Sequence, residues 1–425
     1  MLVGILKLRR TAPAPADRRR VRGAANRAAG RYLAVVDVGA AGLLLAGLVV
    51  LVAGGELLVR GASGLAQAIG MSPLVVGLTV VAFATSAPEL AVTLQAVQDG
   101  IPDLAVGNVV GSNIANVLLV LGVAALIGPL AVRSQLVRVD VPVLAGLGVL
   151  FLLLSLDGLI NRANGALLLS CLVGYTILAL LMGRRESARA ARGQGATDDS
   201  AASAPRAVPS RAPGRLAADV VLLAVGVALL VVGAGWLVEG ATMIAVERGI
   251  PELVIGLTIV AIGTSLPELA TTVIAALRGQ REMAVGNAVG SCIFNIGGVL
   301  AVSSLLAPEG IPVAASAIRV DIPIMIAVSV ALLPVLYTGF EIRRWEGALF
   351  LGLYVAYTGY LLLNAIDHQR LPAYSAVMLL FVLPTVAVSF GALAWHDAGI
   401  RKRRPQSRDP DQGTGPTSDR ALPGR

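Results

Sequence analysis

A gap-free internal repeat is the feature that most constrains how this chain of 425 residues can fold. Residues 77–121 align with residues 256–300 at a constant offset of 179, and 25 of the 45 aligned positions are identical. The likeness continues beyond this window, since VRVDVP at 137–142 corresponds to IRVDIP at 318–323. The chain therefore contains the same structural unit twice.

Both copies consist of apolar runs of membrane-spanning length, about 20 residues each. The chain is 56% hydrophobic and only 14% charged, which is typical of a polytopic membrane protein. The expected spans lie at about 39–59, 73–97, 104–127, 139–156 and 164–183, then at 217–238, 252–277, 283–306, 319–337, 345–364 and 372–396. Five spans per copy is an odd number, so the second copy must insert upside down. The sequence predicts an all-α polytopic membrane protein with two inverted repeats of five transmembrane helices and an extra C-terminal helix.

The distribution of charge predicts how these parts are arranged. We expect a basic N-terminal tail at 1–38, a first five-helix repeat at 39–183, a disordered linker at 184–215, a second five-helix repeat at 216–364, an extra transmembrane helix at 372–396 and a disordered tail at 397–425. The net charge of +8 comes from arginines in tails and loops, which favours basic cytoplasmic loops over nucleic-acid binding. We therefore expect a multi-pass protein of the cell membrane, with the central linker and C-terminal tail cytoplasmic. In this orientation the basic N-terminal tail would lie outside the cell, contrary to the usual cytoplasmic location of positive charge.

Two related motifs, ATSAPEL at 84–90 and GTSLPEL at 263–269, place a proline and a glutamate deep in apolar sequence. Pro88 has no N–H and its ring crowds the preceding turn, so carbonyl groups near Thr85 are partly freed. Thr85, Ser86 and Glu89 share one helix face because they are three or four residues apart. The second copy offers the same groups from Thr264, Ser265, Pro267 and Glu268.

Two glutamates at this depth would be costly to bury and would repel each other, whereas a divalent cation between them removes both problems. The second half of each window adds hydroxyl and amide oxygens, from Asn108, Ser112, Asn113 and Asn116 in one copy and from Asn287, Ser291 and Asn295 in the other. Calcium prefers about 6–8 oxygen ligands. Because no histidine or cysteine joins the constellation, zinc, copper and iron are disfavoured.

The paired motifs GLTVVAFATSAPEL with GNVVGSNIAN, and GLTIVAIGTSLPEL with GNAVGSCIFN, resemble the two α-repeats of the cation/calcium antiporter superfamily, and within it the sodium/calcium exchanger type. The resemblance implies ten core helices that exchange calcium for sodium by alternating access. It implies no cofactor, since calcium and sodium are the transported ions, and a single chain in the lipid bilayer suffices for transport.

The resemblance also implies a set of ion ligands. Calcium would be bound by Glu89 and Glu268 together with backbone carbonyls at Thr85 and Thr264. Sodium would use the same glutamates with a wider set of groups: Ser86, Ser265, Ser112, Ser291, Asn116, Asn295, and carbonyls near Ala82 and Ala261. Asn295 stands where these exchangers often carry aspartate, so this chain has one carboxylate fewer, and the stoichiometry of exchange stays open.

Other functions remain alternatives at this point. Within carriers, the coupling ion could be a proton, or potassium could be required as well. A calcium-permeable channel or a non-transporting scaffold belongs to a different class. Paired half-sites within one chain favour a carrier over a channel with a continuous pore, and a scaffold has no use for two buried glutamates.

Overall fold

The computed structural model describes residues 15–194, 213–250, 259, 261–337 and 339–365. Within these ranges, eight helices are long and apolar enough to cross a membrane, and a bent pair adds a ninth. The predicted all-α membrane fold is therefore confirmed. The predicted extra span at 372–396 and the tail at 397–425 lie outside the described residues and stay predictions.

The described chain is a succession of twelve helices. They are α1 (Pro15–Ile69), α2 (Pro73–Thr85), α3 (Ala87–Gln98), α4 (Pro102–Ile127), α5 (Leu136–Leu154), α6 (Arg162–Gln194), α7 (Pro213–Glu247), α8 (Ala261–Thr264), α9 (Leu266–Leu277), α10 (Arg281–Leu306), α11 (Ala317–Leu336) and α12 (Arg344–Ala365). Of the second copy's counterpart to α2, only residue 259 and α8 are described.

Glycines end the helices at equivalent points of the two copies. Gly70 and Gly100 follow α1 and α3 with positive φ angles of 67° and 69°, and Gly249 and Gly279 follow α7 and α9 with 72° and 75°. After α3, the N–H of Ile101 returns to the carbonyl of Ala96 at 2.8 Å. Glycine adopts this left-handed conformation without steric cost, which is why it closes helices in this way.

Three helices are longer than the sequence predicted. The helix α1 begins at Pro15, inside the basic N-terminal tail, α6 continues to Gln194, eleven residues into the predicted linker, and α7 begins at Pro213, before that linker ends. Arginine and alanine make up most of the extension of α6, and both favour the helix. Residues 195–212, the rest of that linker up to α7, lie outside the described ranges.

Glycines repeated every seven residues bring α1 and α7 into close contact. They are Gly47, Gly54 and Gly61 on α1 and Gly226, Gly233 and Gly240 on α7. A Cβ atom at Gly54 would lie 2.7 Å from the backbone nitrogen of Leu230 and 2.9 Å from the carbonyl oxygen of Gly226. The two backbones can approach this closely only because no side chain stands between them.

Two short antiparallel strand pairs join the two halves of the chain. Strand β1 (Leu130–Ala131) pairs with β4 (Glu341–Ile342), and β2 (Leu159–Ile160) pairs with β3 (Ile311–Pro312). In the repeat alignment, β1 corresponds to β3 and β2 to β4. Exchanging the two copies therefore turns one pair into the other, which is what a two-fold relation between the halves produces.

The glycine contacts generate a stability prediction. We expect Gly54→Ala to lower the apparent melting temperature in detergent, because its methyl group would force α1 away from α7 at a cost of about 1–3 kcal/mol. The matched control is Gly174→Ala in α6, where no described heavy atom lies within 4 Å of the added carbon. Equal melting temperatures for the two variants would contradict the close packing of α1 and α7.

Candidate ion-binding site

Both proline-glutamate motifs interrupt a helix at the serine. The axes of α2 and α3 differ by 40° across Ser86, and Ser265 separates α8 from α9 with nearly the same backbone angles. Pro88 and Pro267 then fall in the first turn of the following helix, where a missing N–H costs nothing. Each break therefore starts a new helix inside the membrane.

The two glutamates occupy the first turns of these new helices. Glu89 in α3 and Glu268 in α9 are both 0% exposed, and none of their four carboxylate oxygens has a hydrogen-bond partner. The two carboxylates lie near enough for their charges to interact. A helix N-terminus favours negative charge, but two unpartnered carboxylates that interact with each other away from water remain strongly unfavourable. The arrangement calls for a cation.

Neutral oxygens without partners accompany the glutamates. The hydroxyls of Ser86, Ser112 and Ser265 are buried and unpartnered, as is the Oδ1 atom of Asn295. Asn116 is fully buried, and neither of its side-chain polar atoms has a partner. Buried polar groups are normally hydrogen-bonded, so this concentration of unpartnered oxygens on duplicated motifs points to ligands rather than to packing.

Asn116 and Asn295 each lie at the start of a wider, π-helical segment of their helix. A π-helical segment runs from Asn116 to Val120 in α4, and another runs from Asn295 to Leu300 in α10. Such segments insert an extra residue in a turn and are frequent at functional sites. They occur here at equivalent positions of the two copies.

Two other asparagines hold the glutamate helices in place. The Nδ2 atom of Asn108 donates to the carbonyl of Glu89 (3.1 Å) and to the hydroxyl of Thr93 (2.9 Å). In the second copy, Asn287 donates to the carbonyl of Glu268 (3.4 Å) and to the hydroxyl of Thr272 (3.0 Å). We call each set an asparagine clamp.

The clamps also connect the two copies. The hydroxyl of Thr85 donates to Oδ1 of Asn287 over 3.2 Å, and that of Thr264 donates to Oδ1 of Asn108 over 3.5 Å. Thr85 also lies 3.2 Å from the hydroxyl of Ser291, so Ser291 has a partner where its counterpart Ser112 has none. The sequence left the role of Asn108 and Asn287 open between ion contact on one side and capping or packing on the other.

Ala82 and Ala261 are expected to contribute backbone carbonyls, because alanine has no side-chain oxygen. The carbonyl of Ala82 accepts the N–H of Ser86 (3.0 Å) and lies 3.4 Å from the hydroxyl of Thr85. Ala82 packs against α10, where a Cβ atom at Gly290 would lie 2.7 Å from its methyl group. Ala261 is the first residue of α8.

Oxygen atoms make up most of the donor set. Among the residues that the structure describes, no group of three or more histidines, cysteines, aspartates or glutamates could hold a metal. The two carboxylates and the neutral oxygens instead form a set that hard cations such as calcium and sodium prefer.

Comparison with known proteins decides the family. The profile of the family described as sodium/calcium exchanger protein matches residues 39–181 and 218–363, which contain both motif copies. The chain belongs to the sodium/calcium exchanger family. The family is one of antiporters and not of enzymes, so this exchanger is an integral membrane transporter.

Several known proteins are similar to this chain over nearly their whole length. CaxA of Alkalimonas amylolytica is 40% identical over 325 residues, which are 76% of this exchanger and 98% of CaxA. The sodium/calcium exchanger MaX1 of Methanosarcina acetivorans is 35% identical over 338 residues, 74% of this chain and 96% of MaX1. A solved structure of the sodium-calcium exchanger NCX_Mj superposes with a TM-score of 0.63 at 32% identity, covering 75% of this chain and 97% of that one.

The two halves of the exchanger's site are not equivalent. Nδ2 of Asn295 donates to Oδ1 of Asn113 over 3.1 Å. The position equivalent to Asn113 in the other copy is Cys292, whose thiol lies 3.6 Å from the carbonyl of Asn113. A thiol is a poor acceptor compared with an amide oxygen, so Asn116 lacks the bond that Asn295 makes.

The clamps generate a second stability prediction. We expect Thr272→Val to lower the free energy of unfolding by about 1 kcal/mol, because it removes the interhelical acceptor of Asn287. Thr79→Val is the matched control, since the hydroxyl of Thr79 bonds only the carbonyl of Val75 in its own helix (2.7 Å). Thermal unfolding of both variants in detergent measures the difference. A Thr272→Val protein as stable as Thr79→Val would mean that the clamp contributes nothing.

Proposed function

We propose that this exchanger moves calcium across the cell membrane in exchange for sodium, by alternating access, with the ions bound near mid-membrane between the two repeats. The observation that carries the proposal is the pair of Glu89 and Glu268, fully buried and without partners for any carboxylate oxygen. One calcium ion or two sodium ions would neutralise the pair. Ions of both kinds can therefore compete for one cage, which is the requirement for exchange.

The ligands follow from the groups around that pair. Calcium would be held by the two carboxylates and by the carbonyls of Thr85 and Thr264, at the ends of α2 and α8. The additional oxygens proposed for sodium are those of Ser86, Ser112, Ser265, Ser291, Asn116 and Asn295, with the carbonyls of Ala82 and Ala261. The printed names of MaX1 and NCX_Mj, both sodium/calcium exchangers, support the choice of ions.

Alternating access requires a cage that can open to either side. The cage draws on both copies, and each copy begins with a long helix, α1 or α7, of which less than half is buried inside the protein. We propose that residues 39–183 and 216–364 act as the two inverted five-helix repeats around the cage. Loading the cage with cations cancels its charge, so the loaded form can close and reopen without exposing bare carboxylates to the membrane.

The test is calcium uptake into liposomes that contain the purified exchanger and sodium. We expect an outward sodium gradient to drive uptake, and both Glu89→Gln and Glu268→Gln to reduce it by at least about 100-fold. One charge near 4 Å from a cation is worth about 4 kcal/mol at an effective dielectric constant of 20. Removing a buried charge should not impair membrane insertion.

Glu309→Gln is the matched control, because Glu309 lies on an exposed loop after α10 and the chemical change is identical. Near-normal uptake by either Glu89→Gln or Glu268→Gln would contradict the proposed paired-glutamate site. Uptake driven by a proton gradient, or only with potassium present, would identify a different coupling ion. Uptake that needs no counter-ion at all would indicate a channel.

Contacts at one end of the bundle support the proposed orientation. Arg278 after α9 and Arg60 on α1 both bond Glu56, each through its Nε atom at 2.6 Å. Arg133, between α4 and α5, forms an ion pair of 2.8 Å with Glu282 at the start of α10. Because positive residues collect on the cytoplasmic side, we propose that this end is cytoplasmic, together with the central linker and the C-terminal tail.

Cysteine labelling checks this orientation. We expect Ser200→Cys, in the central linker, to react with a membrane-impermeant maleimide only after intact cells are permeabilised. The parent protein, with Cys171 and Cys292 alone, gives the background. Labelling of Ser200→Cys on intact cells above that background would contradict the proposed orientation.

A further inference from the structure

Thr271 is a buried hydroxyl that the proposed ligand set does not use. In the described part of the chain, five buried hydroxyls have no hydrogen-bond partner: Ser86, Ser112, Ser265, Thr271 and Ser303. The first three belong to the candidate site. Ser303 lies eight residues beyond Asn295, about 12 Å along α10. Thr271 follows Glu268 by only three residues.

An unpartnered hydroxyl is unusual in these helices. Serine and threonine within a membrane helix commonly bond a carbonyl one turn earlier, as Thr79, Ser155 and Ser329 do here at 2.7–2.8 Å. Thr271 is 0% exposed and makes no such bond. Its hydroxyl therefore resembles those of the site serines.

Helix geometry places Thr271 on the same side of α9 as Glu268. At about 100° per residue, Thr271 and Thr272 flank Glu268 at about 60° and 40° on opposite sides. Thr272 faces α10, where it bonds Asn287. The helix α9 also packs against the α4 segment that begins at Asn116, the asparagine whose side chain has no partner. Thr271 therefore lies within about 60° of Glu268 on a helix that contacts both copies' site segments.

The first copy has no equivalent oxygen. The counterpart of Thr271 in the repeat alignment is Val92 on α3, which has the same shape and no polar atom. Thr271 thus gives the second copy a hydroxyl oxygen that the first copy lacks at this position.

We propose that the hydroxyl of Thr271 is a further sodium ligand beside Glu268, which makes this half of the cage the tighter sodium site. The inference rests on the proposed function. A monovalent ion gains half as much Coulomb energy from each carboxylate as a divalent ion does. Neutral oxygens therefore account for a larger share of sodium binding than of calcium binding, and removing one should affect sodium selectively.

Thr271→Val tests this assignment, because it removes the oxygen and keeps the shape found at Val92. In proteoliposomes we expect the sodium concentration for half-maximal driven uptake to rise at least about threefold, while half-saturation by calcium changes less than about twofold. Thr271→Ser should restore the sodium dependence. Thr271→Ala provides a second variant without the oxygen in case valine impairs folding, and Thr79→Val is the control that should change neither ion.

An unchanged sodium dependence in the oxygen-deleting variants would overturn the assignment. So would equal shifts for both ions, or a serine variant that behaves like valine, since either result indicates a packing role. These outcomes differ from failure of the proposed function, in which the wild-type protein itself shows no sodium-driven calcium uptake. Loss of uptake in the two glutamate-to-glutamine variants, with a normal Thr271→Val, would overturn the Thr271 assignment alone.

Discussion

The electrostatic interaction between two buried carboxylates is the constraint on which the rest of the structure depends. Glu89 and Glu268 have no access to water and no hydrogen-bond partners on their oxygens. Burying one such charge is costly, and burying two close together is more so. The fold keeps the two carboxylates in position by two means. The broken helices place both carboxylates at helix N-termini, and the asparagine clamps hold the new helices. In the proposed mechanism, a cation completes the site.

Duplication supplies this cage in two halves, and the two halves differ in detail. The clamps of Asn108 and Asn287 are nearly superposable in their contacts. Cys292 breaks the symmetry, because the amide of Asn295 finds an acceptor in Asn113 while Asn116 finds none in the thiol. A neutral Asn295 also leaves the cage with two carboxylates. Such differences can make the two halves unequal in their preference for sodium and calcium.

Local chemistry in the sequence was enough to predict the helix breaks and the membrane fold, because proline and long apolar runs act over a few residues. The glutamate, serine and asparagine positions were predicted from their duplicated spacing, and the structure gives most of them unpartnered oxygens. The clamps could not be predicted, since Asn108 reaches Thr93 and Glu89 across 15 and 19 residues of chain. A threonine four residues after each glutamate, repeated in both copies, was the available signal. The extension of α6 was missed because the linker was assigned from its polar composition, although several of its residues have high helix propensity.

The most direct test of the central claim is to locate the cation itself. Crystals of the exchanger soaked with strontium, a heavier analogue of calcium, would give an anomalous difference map that requires no assumption about transport. The account predicts one strong peak between the carboxylates of Glu89 and Glu268, within about 2.3–2.8 Å of oxygens from both residues, and its loss when sodium replaces strontium. A peak elsewhere in the protein, or none between the glutamates at saturating strontium, would contradict it.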